Sequence, residues 1–320
     1  MKKYAGTIIR SAILLIIVVT GYACNHESPL PETIAENSEL PRIVVNNKEF
    51  HVETFGNPIN PTVIVVHGGP GWDYSYLMSL ASLSDKYYVV FYDQSGCGLS
   101  PRYDADELTL ANALEDLHGM VVHFGNNRRV NLIGHGYGAM LASAYLGQHP
   151  ERVAYTVLAE PPFLTTENEN DSLPPLLDIS PLLESKSKEF TVKRHDKEDR
   201  KMLSALKAKN HIMSQYSCNK ESYRGLLLRR PGALASYELL GKFYTPEQGN
   251  TIDFTVGNKR FKNTVLLLYG GCNKYFTAVD KKARQDAFRH AITKTVPDAG
   301  HFIFTDNPVT SLTFIRGYFN

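Results

Sequence analysis

Five short runs in this chain are apolar almost without a break: Val63-Ile64-Val65-Val66, Val89-Val90-Phe91-Tyr92, Val130 to Ile133, Thr156-Val157-Leu158 and Val265 to Tyr269. A strand that is apolar on both of its faces must be covered on both, which predicts a mostly parallel sheet sandwiched between helices. Between the second and third runs, Leu110, Leu114, Leu117, Val121 and Phe124 recur at three- and four-residue spacing, the mark of an amphipathic crossover helix. Further helices are expected after Tyr137, Ala278 and Asn307. Upstream, Arg42 to Phe55 reads as two strands around Asn46-Asn47, a favoured hairpin turn pair, giving the sheet an antiparallel edge.

The strand pattern stops near Pro161 and resumes after Lys262. Residues 161–262 are charged and polar with scattered Leu, Tyr and Met, and weak helical periodicity over Lys201 to Tyr216 and Arg230 to Tyr244 predicts a helical cap inserted into a core formed by 42–160 and 263–320.

The amino terminus has a different character. Lys2, Lys3 and Arg10 precede the apolar run Ala12 to Val19, which is too short to cross ~30 Å of hydrocarbon and reads as a secretory signal. Gly21-Tyr22-Ala23-Cys24 resembles a lipoprotein cleavage box, so residues 1–23 are expected to be removed and Cys24 lipidated. The Pro-, Glu-, Asn- and Ser-rich segment to residue 41 is then expected to be a flexible tether without core. The expectation is an exported bacterial lipoprotein of the cell envelope, touching the membrane only through its lipid. Lys and Arg number 34 against 33 Asp and Glu, a net charge of +1 that offers nucleic acid no attracting field. After cleavage Cys97, Cys218 and Cys272 remain; the odd count favours small buried side chains over a disulfide framework. No Cys/His spacing fits a metal site, and no cofactor is implied. Oligomeric state is left open.

Three glycine-rich patterns follow strand ends: His67-Gly68-Gly69-Pro70-Gly71, Asp93-Gln94-Ser95-Gly96-Cys97-Gly98-Leu99-Ser100, and Gly134-His135-Gly136-Tyr137-Gly138. Together, over residues 43–319, they resemble the proline iminopeptidases, members of the α/β-hydrolase fold. The resemblance implies an oxyanion hole from the NH groups of Gly69 and Tyr137, with His67 and Gly68 beside the ligand. It implies a nucleophile at the centre of the third pattern, an acid at Asn273 in Gly270-Gly271-Cys272-Asn273, and a base at His301 in Asp298-Ala299-Gly300-His301-Phe302. His135 is expected to point into the fold. Cap glutamates that grip a substrate's ammonium group in that family have no clear match, and Glu247 is a candidate.

The chain departs from the family at two of these places. Gly136 stands where a serine would attack, and glycine has no atom that can do so. Asn273 stands where an aspartate would orient the histidine; an amide favours the wrong tautomer, a change that costs about 10⁴ in turnover in serine proteases. Glu160, at the end of an adjacent strand, is a possible relocated acid. Loss of nucleophile and acid together predicts a protein that binds a small molecule or peptide under the cap without serine-hydrolase chemistry. Two alternatives stand beside it: hydrolysis by a displaced nucleophile such as Ser95 or Cys97, and general-base chemistry by His301.

Overall fold

A computed structural model describes residues 29–166, 192–208, 218, 228–245, 249–273 and 275–320. The expected signal segment, Cys24 and Glu247 lie outside these residues.

The sheet has eight strands: β1 (Arg42–Val45), β2 (Lys48–Phe55), β3 (Thr62–Val66), β4 (Tyr88–Tyr92), β5 (Val130–His135), β6 (Val153–Ala159), β7 (Val265–Gly270) and β8 (Ala291–Val296). Their order across the sheet is β1-β2-β4-β3-β5-β6-β7-β8. The β1–β2 and β2–β4 pairings are antiparallel and the remaining ones parallel. Asn46 and Asn47 both take positive φ (52° and 61°), which the tight hairpin between β1 and β2 requires.

The two faces of the sheet are equally apolar, as the sequence pattern demanded. Ile64 and Val66 point into one core with Leu117, Met120, Leu141 and Tyr145, while Val63 and Val65 point into the other with Leu77, Leu80, Ile303 and Ile315. The first core is covered by α1 (Leu110–Gly125) and α2 (Tyr137–Gln148). The second is covered by a 3-10 helix over Ser75–Asp85 and by α7 (Pro308–Phe319). Strand β8 escaped the sequence reading because its residues Ala291 to Val296 are mostly exposed or half-buried at the sheet edge, so polar side chains interrupt the apolar pattern.

Between β6 and β7, the described parts of the insertion include α3 (Val192–Ala208) and α4 (Ala233–Phe243). The helix predicted from Lys201 begins earlier, at Val192, and its expected continuation to Tyr216 lies outside the described residues. Helix α4 sits over the start of α2, with the Phe243 ring stacked on Tyr137 at 5.8 Å. The remaining helices are α5 (Ala278–Asp286), which carries a capping box between Thr277 and Asp280, and the short α6 (Ile303–Asp306).

Two expectations are corrected here. Residues 29–41 are docked on the fold: Thr33 and Ile34 are buried, the Ile34 NH donates to the Leu99 carbonyl at 2.8 Å, and Arg230 donates to the Pro31 carbonyl at 2.8 Å. A polar composition hid one apolar anchor. Cys218 and Cys272 form a disulfide, with Cα atoms 5.5 Å apart across a separation of 54 residues, while Cys97 remains a free, buried thiol. A count of cysteines cannot reveal that an insertion folds back beside the strand that follows it.

Candidate active site

Strand β5 runs into α2 through Gly136, whose φ of 56° and ψ of −123° lie in a region that side chains occupy only under strain. A Cβ on Gly138 would fall 2.1 Å from the Val66 carbonyl oxygen, so this tight turn depends on bare backbone. The turn is the elbow that the sequence implied, and it points at a histidine: a Cβ built on Gly136 would lie 3.6 Å from Nε2 of His301 and 3.8 Å from the Gly68 Cα.

His301 is held from behind. Its Nδ1 faces Glu160 Oε2 at 3.4 Å, and Glu160 also accepts from the Gly270 NH through Oε1 and from the Asn273 side-chain amide through Oε2, the latter at 2.5 Å. Glu160 follows β6 and takes a φ of 52°. Its backbone NH donates to the Leu268 carbonyl at 2.9 Å, fixing it beside the end of β7. A left-handed backbone at a glutamate costs on the order of 1 to 3 kcal/mol, and the bonds to Gly270 and Asn273 hold it there.

The carboxylate facing His301 is therefore that of Glu160, and the Asn273 amide supports it. Asn273 offers an amide, as read from the sequence, and the candidate Glu160 at the end of β6 places a carboxylate beside His301 that this amide donates to. Through its Oδ1, Asn273 accepts from the Tyr275 NH at 3.0 Å, which leaves its amide nitrogen turned to Glu160.

Burial raises the Glu160 carboxyl to about 8, opposed by its hydrogen bonds to Gly270 and Asn273 and by Lys281 and Arg284. Burial lowers His301 to about 4, with Asp306 acting the other way. Both shifts express the cost of burying charge at these positions. With Glu160 ionised, Nδ1 of His301 donates to it and Nε2 presents a lone pair toward Gly136.

A residue that the sequence reading missed joins the parts. The Tyr76 hydroxyl accepts from the Gly68 NH and donates to Nδ1 of His135, both at 2.8 Å. Nε2 of His135 then donates to the His301 carbonyl, also at 2.8 Å. The oxyanion turn, the elbow and the His301 loop are thus pinned by one buried chain. His135 points inward as expected, and burial keeps it neutral. Only a tyrosine eight residues after Gly68 marked this in the sequence, with no pattern to single it out.

Gly69, with φ 124°, follows Gly68 in the oxyanion turn. A Cβ there would fall 2.6 Å from the Gly71 nitrogen, so the turn requires glycine. The Tyr137 NH opens α2 and lies among the first four donors, which have no intrahelical acceptor. His67 is corrected from a ligand contact to a structural residue: it is buried, with Nδ1 on the Gly68 carbonyl at 2.9 Å and Nε2 accepting from the Gln94 NH at 3.0 Å.

The displaced nucleophiles find no support. Ser95 donates to Asp116 at 2.6 Å, and the Cys97 thiol is buried against the Ser95 carbonyl, where desolvation pushes its pKa well up. Among the described residues, no hydroxyl or thiol hydrogen-bonds Nε2 of His301, and no cluster of His, Cys, Asp and Glu fits a metal ion.

Residues 61–308 match the α/β hydrolase fold family, and the chain belongs to it. Within that family it is proline iminopeptidase-like. A proline iminopeptidase of Lactobacillus helveticus is 26% identical over 259 residues, 77% of this chain and 85% of the relative. One from Saccharolobus solfataricus is 42% identical over 89 residues, but that match spans only 27% of this chain and 28% of the relative. A proline iminopeptidase-related protein from Thermus thermophilus superposes with a TM-score of 0.62 at 18% identity, covering 88% of this chain and 96% of that one.

Proposed function

We propose that this α/β-hydrolase binds a small carbonyl compound or peptide beneath its insertion and does not form an acyl-enzyme. One observation carries the reading: the elbow that aims at His301 Nε2 is Gly136, while the rest of the site is built. A site with oxyanion donors and a positioned histidine still holds a polarised carbonyl. Exposure of the purified protein to a fluorophosphonate tests this: no covalent label is expected, and stoichiometric labelling of the wild type would overturn it.

A second reading is favoured by Glu160. A histidine whose Nδ1 faces a buried carboxyl is positioned to take a proton at Nε2 once that carboxyl is ionised, which supports general-base chemistry on the bound ligand.

We also propose that the protein is an exported lipoprotein anchored at Cys24. The Cys218–Cys272 disulfide suits an oxidising compartment outside the cytoplasm, and no described helix is long and apolar enough to cross a membrane. Metabolic labelling with palmitate is expected in the wild type and absent in Cys24→Ala.

A further inference from the structure

The glycine at the elbow leaves more than an absent hydroxyl. A CH₂OH group takes up about the ~30 Å³ that one water occupies in the liquid. An oxygen just beyond the Cβ direction of Gly136 would fall within hydrogen-bond reach of Nε2, since that Cβ would lie 3.6 Å away. Nε2 of His301, with Glu160 behind it, stands 3.6 Å from that Cβ position, and the Gly68 Cα of the neighbouring turn lies 3.8 Å from it.

We propose that the site hydrolyses activated acyl compounds, aryl esters and thioesters, in a single step, with water in the place of the serine oxygen. This rests on the carbonyl-binding reading above and adds the fate of the ligand. Water gives a proton to Nε2 of His301 as its oxygen bonds to the acyl carbon. The carbonyl π pair moves onto the oxygen held by the Gly69 and Tyr137 NH groups. The tetrahedral adduct collapses, the bond to the leaving group breaks, and the imidazolium returns its proton to that group or to solvent. The products are a carboxylic acid and a phenol or thiol.

The substrate class follows from the leaving group. An aryloxide or thiolate departs with its electron pair unaided, whereas an amine must be protonated first. An adduct formed from water rather than serine also reverts easily by losing that water. Amides, the bond class of an iminopeptidase, are therefore poor substrates for this route.

The test uses the full chain with p-nitrophenyl acetate and an acetyl thioester, assayed above pH 8, where Glu160 is ionised. Wild type is expected to turn over without a burst and without an acetyl adduct after acid quench. His301→Ala should lower the rate by at least about 10²-fold, and Glu160→Gln by up to about 10⁴-fold. A normal solvent deuterium isotope effect on the wild-type rate is expected and requires no variant, so the test survives a variant that fails to fold. Absence of turnover by folded wild type, or turnover unchanged in folded His301→Ala and without an isotope effect, overturns the one-step route and leaves the binding reading standing. A stoichiometric acetyl adduct on the wild type overturns both.

Discussion

Glu160 Oε2 lies 3.4 Å from Nδ1 of His301, although the two residues are 141 positions apart in the chain. The carboxylate stands at the end of β6, and Asn273, just after β7, donates to it. That hydrogen bond depends on the amide: an aspartate there would set a second carboxylate against the first.

Asn273→Asp is accordingly expected to harm the site. A carboxyl at this buried position, next to Glu160, resists ionising as Glu160 does, so its pKa also rises in the folded state and stability falls as pH rises. A loss of about 1 to 3 kcal/mol at neutral pH, recovered in acid, is expected in urea titrations. Unchanged stability at both pH values would count against the Glu160–Asn273 pairing.

The pH dependence of stability carries a second signature. Glu160 rises from 4.5 to about 8 on folding and His301 falls from 6.5 to about 4. Between pH 4.5 and 6.5 the pair binds one proton in either state, on the histidine when unfolded and on the glutamate when folded, so its contribution is flat. From pH 6.5 to 8 only the folded state keeps that proton, and stability declines by about 1.4 kcal/mol per pH unit. Glu160→Gln should abolish this decline, as read by denaturant melts across that range.

Activity, where it is found, should follow the same groups. Nε2 of His301 is a free base only when Glu160 is ionised and takes the hydrogen bond from Nδ1. The rate is expected to rise through pH 8, well above the usual histidine limb at 6.5. A pH–rate profile rising through 6.5 would contradict the buried pair.

The docked amino-terminal segment predicts a stability cost where a tether would give none. Ile34 is buried and bonded to Leu99, so Ile34→Ala should lower stability by about 2 to 5 kcal/mol. Reduction of Cys218–Cys272 should lower it by about 2 to 4 kcal/mol. Thermal melts with and without reductant check both.

Much of this was legible in the residues. Continuous runs such as Val63 to Val66 announce a strand buried on both faces, and the Asn46-Asn47 pair announces its hairpin. The elbow and Gly136 at its centre were equally plain. The acid was legible only as a candidate, because a carboxylate after β6 reaches His301 only through a left-handed turn at Glu160 and the adjacency of β6 to β7. Tyr76 and Cys218 were hidden for the same reason: their partners are set by folding over 59 and 54 residues. Ile34 is a single apolar residue without a period, so no pattern marks it as core.

If the site lacks only a hydroxyl, Gly136→Ser alone supplies it. This single variant, at a cost of about 1 to 3 kcal/mol for the strained elbow, is expected to become stoichiometrically labelled by a fluorophosphonate at residue 136. Glu160→Gln in that background should slow the labelling sharply, while the wild type stays unlabelled. A folded Gly136→Ser protein that resists the reagent, or one that needs Asn273→Asp as well before it reacts, would mean that the site lacks more than the serine oxygen.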